Sequence, residues 1–126
     1  MLVDTDVLVW HMRGNVRARE AIERLPSFAV SVITYLELVQ GMRDMRELAA
    51  LRRALRDWNA QILYIDHEIS IKAMFLVEKH FLSHSLRLAD ALIASTALTN
   101  GVPILTANRK HYKVVSRLEV KVFRPN

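Results

Sequence analysis

Residues 1–10 read MLVDTDVLVW, and this stretch decides how the rest of the chain is interpreted. Three apolar residues run into Asp4-Thr5-Asp6, and four more apolar residues follow. A short apolar run that stops at a carboxylate is typical of a buried strand with an acid at its C-terminal end. Because ligands bind at that edge of open α/β sheets, Asp4 is the first candidate for a functional residue.

Strand and helix patterns alternate along the rest of the chain. Apolar or β-branched stretches typical of strands occur at 27–33, 61–65, 102–105 and 118–123. Helical patterns lie between them, at 6–12, 16–25, 34–41, 45–58, 68–82, 86–99 and 108–112. Alternating strands and helices predict a mostly parallel sheet covered on both faces. We therefore predict one three-layer α/β/α domain over residues 1–126, with a central sheet of about five strands.

Composition and charge exclude several classes of protein. The 126 residues include no cysteine, which excludes disulfide frameworks and thiolate sites and fits a reducing cytoplasm. No apolar run approaches the roughly 20 residues that cross a bilayer, and the N-terminus lacks a signal-peptide pattern. The net charge of +5 favours an anionic partner, most commonly nucleic acid. We therefore expect a cytoplasmic protein without membrane contacts.

Three acids, Asp4, Glu37 and Asp90, lie where a predicted strand ends or the next helix begins. Asp4 could instead cap a helix, and Glu37 could complete a Thr-x-x-Glu capping box. Asp6 is readily explained as the N-cap of the first helix. Asp90 suits the helix dipole, yet its helix is apolar almost all round and should be buried. An unpaired buried charge is costly, so Asp90 needs a compensating group.

Convergence of these acids would create a metal site. In a parallel sheet their positions share one edge, so Asp4, Glu37 and Asp90 can meet there. Converging carboxylates repel each other, and oxygen ligands without cysteine favour Mg²⁺ or Mn²⁺ as the ion that offsets this repulsion. Such a site orients a phosphodiester and lowers the pKa of a water for in-line attack. We therefore predict that the three acids are metal ligands and catalytic residues.

Four segments of the chain resemble the four motifs of PIN-domain proteins, in the same order. They are 2–8 (LVDTDVL), 31–38 (SVITYLEL), 88–94 (LADALIA) and 105–112 (LTANRKHY). The similarity is greatest to the VapC-like toxins of bacterial and archaeal type II toxin–antitoxin pairs. This resemblance spans the whole chain and implies a Mg²⁺- or Mn²⁺-dependent endoribonuclease. It also implies a homodimer that is silenced by a cognate antitoxin.

The sequence departs from the family pattern at two places. Asp6 stands where the family often has Asn, which makes it a candidate ligand that acts through water. The fourth motif commonly offers an acid, and here it offers Asn108, another candidate for contact through water, and His111. We therefore expect one tightly held ion, with a second recruited by substrate phosphate. His111 is either a proton donor to the leaving oxygen or a structural histidine.

Several basic and polar residues are candidates for RNA contacts. Arg109 and Lys110 flank the predicted acids, and Thr106 precedes them with a hydroxyl. Arg43 and Arg46 belong to a basic cluster that continues along the following helix. Arg pairs well with phosphate, so we predict RNA contacts at these five positions. The alternative for the basic cluster is a solvated helix face or a surface for an acidic antitoxin segment.

Three other functions stay open. A haloacid-dehalogenase-type phosphatase also begins with apolar-Asp-x-Asp, but it would need a different residue at Val7 and a late paired-Asp motif. A receiver-like signalling domain would be phosphorylated on Asp66, at the end of the third strand, and would give no role to Glu37 or Asp90. A catalytically weak PIN domain would bind RNA or a partner without cutting.

Overall fold

The computed structural model describes residues 1–82 and 86–126. In this part of the chain, the strands are Leu2–Val3 (β1), Phe28–Ser31 (β2), Ala60–Leu63 (β3), Ile104–Thr106 (β4) and Val120–Val122 (β5). The helices are Thr5–Met12 (α1), Val16–Glu23 (α2), Val32–Gln40 (α3), Met45–Asp57 (α4), His67–His80 (α5), Leu88–Asn100 (α6) and Arg109–Tyr112 (α7). None of the described helices is long and apolar enough to cross a membrane.

The five strands form one sheet in the order β3-β2-β1-β4-β5, and every neighbouring pair is parallel. The chain therefore extends the sheet on one side of β1 with β2 and β3, and then on the other side with β4 and β5. The strand order reverses between β1 and β4, and such a reversal opens a crevice at the carboxyl ends of the strands. The site is expected at this crevice.

Two hydrophobic cores lie on opposite faces of the sheet. Leu2 and Val3 are both fully buried, and they belong to different cores because consecutive strand residues point to opposite faces. The core around Val3 includes residues of α1, α2 and α4, and the core around Leu2 includes residues of α5 and α6. The predicted three-layer α/β/α architecture and parallel sheet are confirmed.

Two helices begin earlier than the sequence predicts. Helix α1 is capped by Asp4, whose Oδ1 accepts a hydrogen bond from the Thr5 N–H, so Asp6 lies in the first turn and is not the cap. Helix α3 is capped by Ser31, whose hydroxyl oxygen accepts from the Ile33 N–H. The predicted Thr-x-x-Glu box is therefore wrong, because its threonine already lies inside the helix. Glu37 is thus freed for another role.

Four predicted helix caps are confirmed. Asn15, Asp44 and Asp66 cap α2, α4 and α5, each accepting a hydrogen bond of 2.8 or 2.9 Å from a backbone N–H three residues on. Gly101 ends α6 with φ at 63°, a left-handed conformation that glycine adopts without strain. Caps of this kind depend on local sequence, which explains why they could be predicted.

Candidate active site

A cleft of about 580 Å³ lies at the carboxyl ends of β1 and β4. Four acids line it: Asp4, Asp6, Glu37 and Asp90. They come from the β1–α1 junction, from α3 and from α6, so the parallel topology brings distant parts of the sequence to one place. The sequence predicted this group of acids, and their roles as ligands stay a prediction.

Asp4 is more buried than Asp6, and only 6% of its surface is exposed. Its Oδ1 accepts from the Thr5 N–H at 2.8 Å, and its Oδ2 accepts from the Thr106 hydroxyl at 2.8 Å and the Tyr112 hydroxyl at 3.0 Å. Burial, together with the negative charge of Asp6, raises the pKa of Asp4 from 3.8 to about 7. A cation beside Asp4 would reverse this effect by favouring the charged form.

Asp6 presents a buried oxygen that is left without a partner. Its Oδ2 accepts from the Ala107 N–H at 3.1 Å and the Asn108 amide at 2.9 Å, and it lies 3.3 Å from the Thr106 hydroxyl. Its Oδ1 is buried and has no hydrogen-bond partner in the described part of the chain. Burial raises the pKa of this carboxyl as well. A buried carboxylate oxygen without a donor is costly, unless a ligand or an ion completes its environment.

Glu37 and Asp90 each keep one oxygen available to the cleft. Glu37 Oε1 accepts from the Thr5 hydroxyl at 2.7 Å. Asp90 is 4% exposed, and its Oδ2 accepts from the Arg87 N–H at 3.1 Å and lies 3.8 Å from His111 Nδ1. Among the hydrogen bonds of residues 1–82 and 86–126, none ends on Glu37 Oε2 or Asp90 Oδ1. These oxygens are the ones that could face a ligand.

The donor set suits a hard divalent cation that keeps part of its hydration. Within residues 1–82 and 86–126, no group of three or more His, Asp or Glu side chains is arranged to hold a metal ion as it stands. Asp6, Glu37 and Asp90, each with an oxygen that accepts no hydrogen bond from the described residues, nevertheless line one cleft. Mg²⁺ commonly binds through one or two carboxylates and retains several waters, so an open acidic cleft of this kind fits it. The buried, unpartnered Asp6 Oδ1 is the observation that carries this fit.

Residues of the fourth motif donate hydrogen bonds to the two acids of the first motif. Thr106 is fully buried and donates to Asp4, which leaves it no surface for RNA, contrary to the sequence-based expectation. Asn108 donates its amide to Asp6, and its predicted contact with the ion through water stays a prediction. Tyr112 was missed entirely, because an aromatic residue in a short helix is usually core and nothing in the sequence shows where its hydroxyl points.

The predicted RNA-contacting arginines and lysine lie outside the cleft lining. Arg109 and Lys110 are exposed at the start of α7, directly after the cleft residue Asn108. Arg43 is paired with Glu47 at 2.8 Å, and both belong to a separate groove. The exposed Arg46 is not among the residues that line the cleft or this groove.

Two arginines that were not predicted as site residues do line the cleft, namely Arg13 and Arg87. The Arg13 guanidinium lies 5.9 Å from the ring centre of Trp10, which also lines the cleft. Trp10 and Arg13 follow Asp6 by four and seven residues along one helical face, so helical spacing could have identified them. They give the acidic cleft a rim that suits an anionic polymer with aromatic bases.

Asp66 has a structural role. It is exposed, it caps α5 by accepting from the Ile69 N–H at 2.8 Å, and it does not line the acidic cleft. The acids that do line the cleft follow β1 or lie on α3 and α6, whereas Asp66 follows β3. The receiver-like interpretation therefore finds no support in the arrangement of the acids.

Comparison with known proteins gives a consistent set of matches. The family model described as PIN domain matches residues 1–116. Ribonuclease VapC10 of Mycobacterium tuberculosis is 32% identical over 94% of this chain and 90% of its own length. Ribonuclease VapC1 of Methanocaldococcus jannaschii is 27% identical over 98% of this chain and 86% of its own length.

Solved structures agree with the fold. A chain of a toxin–antitoxin complex from Klebsiella pneumoniae superposes with a TM-score of 0.80 at 27% identity, covering 99% of this chain and 97% of that one. A chain of VapBC2 from Rickettsia felis, bound to a DNA fragment from its promoter, gives a TM-score of 0.81 at 19% identity, with 98% of both chains covered. At that lower identity the second match supports the fold alone.

Proposed function

Because the chain belongs to the PIN-domain family, we propose that it is a metal-dependent endoribonuclease and the toxin of a type II toxin–antitoxin pair. The single observation that carries the proposal is the cleft that Asp4, Glu37 and Asp90 line together, where Glu37 Oε2 and Asp90 Oδ1 accept no hydrogen bond from the described residues. The names of the curated relatives, which are ribonucleases, agree with it. This function replaces the receiver and phosphatase alternatives.

The acids would hold Mg²⁺ or Mn²⁺ and position the RNA backbone. Asp4, Glu37 and Asp90 would hold the ion, with Asp6 in contact with it through water. The ion, when bound, would neutralise phosphate charge and lower the pKa of a water for in-line attack on phosphorus. Arg13, at the rim of the same cleft, would pair with a flanking phosphate and so help to fix the register of the strand. The Arg87 guanidinium is already paired with Asp90, its Nε lying 3.4 Å from Oδ2.

His111 is the candidate for the proton transfer that completes hydrolysis. It lines the cleft, its side chain is 19% exposed, and its Nδ1 faces Asp90 Oδ2 at 3.8 Å. When the P–O bond breaks, the leaving oxygen needs a proton, and a partly exposed imidazolium near a carboxylate can donate it. The carboxylate of Asp90 would orient the ring for this transfer.

The partners follow from the same proposal. We propose that the chain forms a homodimer and is silenced by a cognate antitoxin. The antitoxin partner is supported by the 27%-identical relative, whose structure is a toxin–antitoxin complex. Exposed apolar side chains on α3, α5 and α6 are candidates for these interfaces; they include Leu36, Met74, Phe75 and Leu88. The absence of cysteine agrees with action in a reducing cytoplasm.

The decisive experiment is RNA cleavage by the purified chain with Mg²⁺, with Mn²⁺ and with chelator. Asp4→Asn and Asp90→Asn should each abolish metal-dependent cleavage. The matched controls are Asp44→Asn and Asp66→Asn, because both aspartates are exposed helix caps outside the cleft and Asn also caps helices well. Cleavage that persists in chelator, or that survives Asp90→Asn, would refute the proposal.

A further inference from the structure

We propose that Tyr112 is a positioning residue whose hydroxyl fixes the Asp4 carboxylate in the orientation that binds the metal ion. The inference rests on the proposed function, because it concerns the ion that this function requires. The observation behind it is a hydrogen bond of 3.0 Å from the Tyr112 hydroxyl to Asp4 Oδ2, made between residues 108 positions apart in a fully enclosed place. No surface of Tyr112 is exposed to solvent.

Packing alone does not explain a tyrosine here. The ring belongs to the core on the α5–α6 face, where it packs beside residues such as Leu2 and Ile104. A phenylalanine would bury the same ring without having to satisfy a hydroxyl. A buried hydroxyl is costly unless it is paired, and in this structure its partner is a carboxylate of the cleft. The hydroxyl is therefore explained by Asp4 and not by the core.

The hydrogen bonds around Asp4 determine which way the carboxylate faces. Thr5 donates from the start of α1 to Oδ1, whereas Thr106 and Tyr112 donate from the end of β4 and from α7 to Oδ2. Three donors on three elements hold the plane of the carboxylate, and hydrogen bonds to a charged acceptor are the stronger ones. The remaining lone pairs of the Asp4 carboxylate are therefore already oriented for an ion, and the side chain does not have to turn when the ion binds.

The segment 106–112 carries out the same task for both acids of the first motif. Thr106 and Tyr112 donate to Asp4, while the Ala107 N–H and the Asn108 amide donate to Asp6. Where the family resemblance leads one to expect a further acid, this chain supplies hydrogen-bond donors. The segment thus contributes to ion binding by holding ligands and not by adding one.

The test compares Tyr112→Phe with Tyr35→Phe in the full chain. Tyr35 is the matched control because its hydroxyl accepts a hydrogen bond of 3.4 Å from Arg52 and the residue does not line the cleft. Mn²⁺ binding is measured by calorimetry and by the loss of the free-ion electron paramagnetic resonance signal. Thermal unfolding in chelator measures the fold separately.

We expect Tyr112→Phe to raise the dissociation constant for Mn²⁺ by about 10-fold or more, the usual cost of losing a group that orients a ligand. Tyr35→Phe should bind Mn²⁺ like the wild type. Cleavage by Tyr112→Phe should be reduced at limiting Mn²⁺ and should recover at saturating Mn²⁺, because the ligands themselves remain.

Two results would overturn the inference. One is a Tyr112→Phe chain that is folded and binds Mn²⁺ as tightly as Tyr35→Phe. The other is a Tyr112→Phe chain that is unfolded at 25 °C in chelator, which would assign the hydroxyl to stability instead. Failure of the proposed function looks different, because the wild-type chain itself would then neither bind Mn²⁺ nor cleave RNA.

Discussion

The hydroxyl of Thr5 donates a hydrogen bond of 2.7 Å to Oε1 of Glu37. The backbone N–H of the same threonine donates to Oδ1 of Asp4. One residue therefore fixes two acids that are 33 positions apart in the sequence, and it connects the β1–α1 junction to α3. The positions of Asp4 and Glu37 are consequently coupled through Thr5.

Thr5→Val removes the hydroxyl and nearly preserves the shape of the side chain, so Glu37 loses its donor. We expect metal-dependent RNA cleavage to fall by about 10- to 100-fold, whereas the free energy of unfolding changes by only about 1 kcal/mol. Thr5→Ser keeps the hydroxyl and should retain most of the activity. Rates are measured at fixed Mg²⁺, with urea unfolding in parallel. Equal loss in the Val and Ser variants would contradict this interpretation.

Asp6→Asn should separate stability from function. Burial first, and then the charge of Asp6, raises the pKa of Asp4, and Asp6 Oδ1 is buried without a partner in the described chain. Removing that charge relieves a repulsion between two enclosed carboxylates, so the melting temperature in chelator should rise at pH 8. Mn²⁺ affinity should fall in the same variant, because the charge that destabilises the metal-free fold is also one that attracts the ion. A lower melting temperature together with unchanged affinity would argue against this account.

Much of the fold could be predicted because it depends on patterns within single segments. Apolar runs and helical periodicity identified every strand and helix, and parallel topology then placed Asp4, Glu37 and Asp90 at one edge of the sheet. The errors concern the first and last residues of helices. Ser31 caps α3 where Thr34 was expected to, because the strand before it ends sooner than its β-branched composition indicates.

The hydrogen bonds that hold the acids of the site in place could not be predicted in the same way. The burial of Thr106 and the direction of the Tyr112 hydroxyl depend on how β4 and α7 pack against β1, which sequence spacing does not encode. The pairing of Arg43 with Glu47 likewise could not be predicted from the clustering of arginines, and the RNA contact expected of Arg43 stays a prediction. Side-chain partners across elements are properties of the packed structure.

The stability of the metal-free chain should depend on pH through Asp4. Because the pKa of Asp4 is raised from 3.8 to about 7 in the folded state, the folded chain binds this proton more tightly than the unfolded chain. The resulting stabilisation is fully present below pH 3.8 and is lost as the pH rises through about 7. The free energy of unfolding in chelator should thus decrease between pH 5 and pH 8, by on the order of 2–4 kcal/mol.

Urea unfolding at several pH values, with and without Mn²⁺, tests this dependence. Asp4→Asn carries no titrating proton at this position, so its stability should change less over the same range. Mn²⁺ should stabilise the wild type more at pH 8 than at pH 5, since it competes with the proton for the carboxylates. A wild-type chain that becomes more stable as the pH rises in chelator would disprove the assignment of the raised pKa.

Arg13 should contribute more to RNA binding than Arg43, although the sequence pointed to Arg43. Arg13 lines the acidic cleft beside Trp10, whereas Arg43 is neutralised by Glu47 in another groove. In the inactive Asp90→Asn background, Arg13→Ala should weaken binding of a single-stranded RNA and reduce the slope of log K against log salt by about 0.7, the share of one phosphate contact on a single strand. Arg43→Ala should leave that slope unchanged. Fluorescence anisotropy at several salt concentrations measures both, and a larger effect for Arg43→Ala would place the path of the RNA along α4 instead of across the cleft.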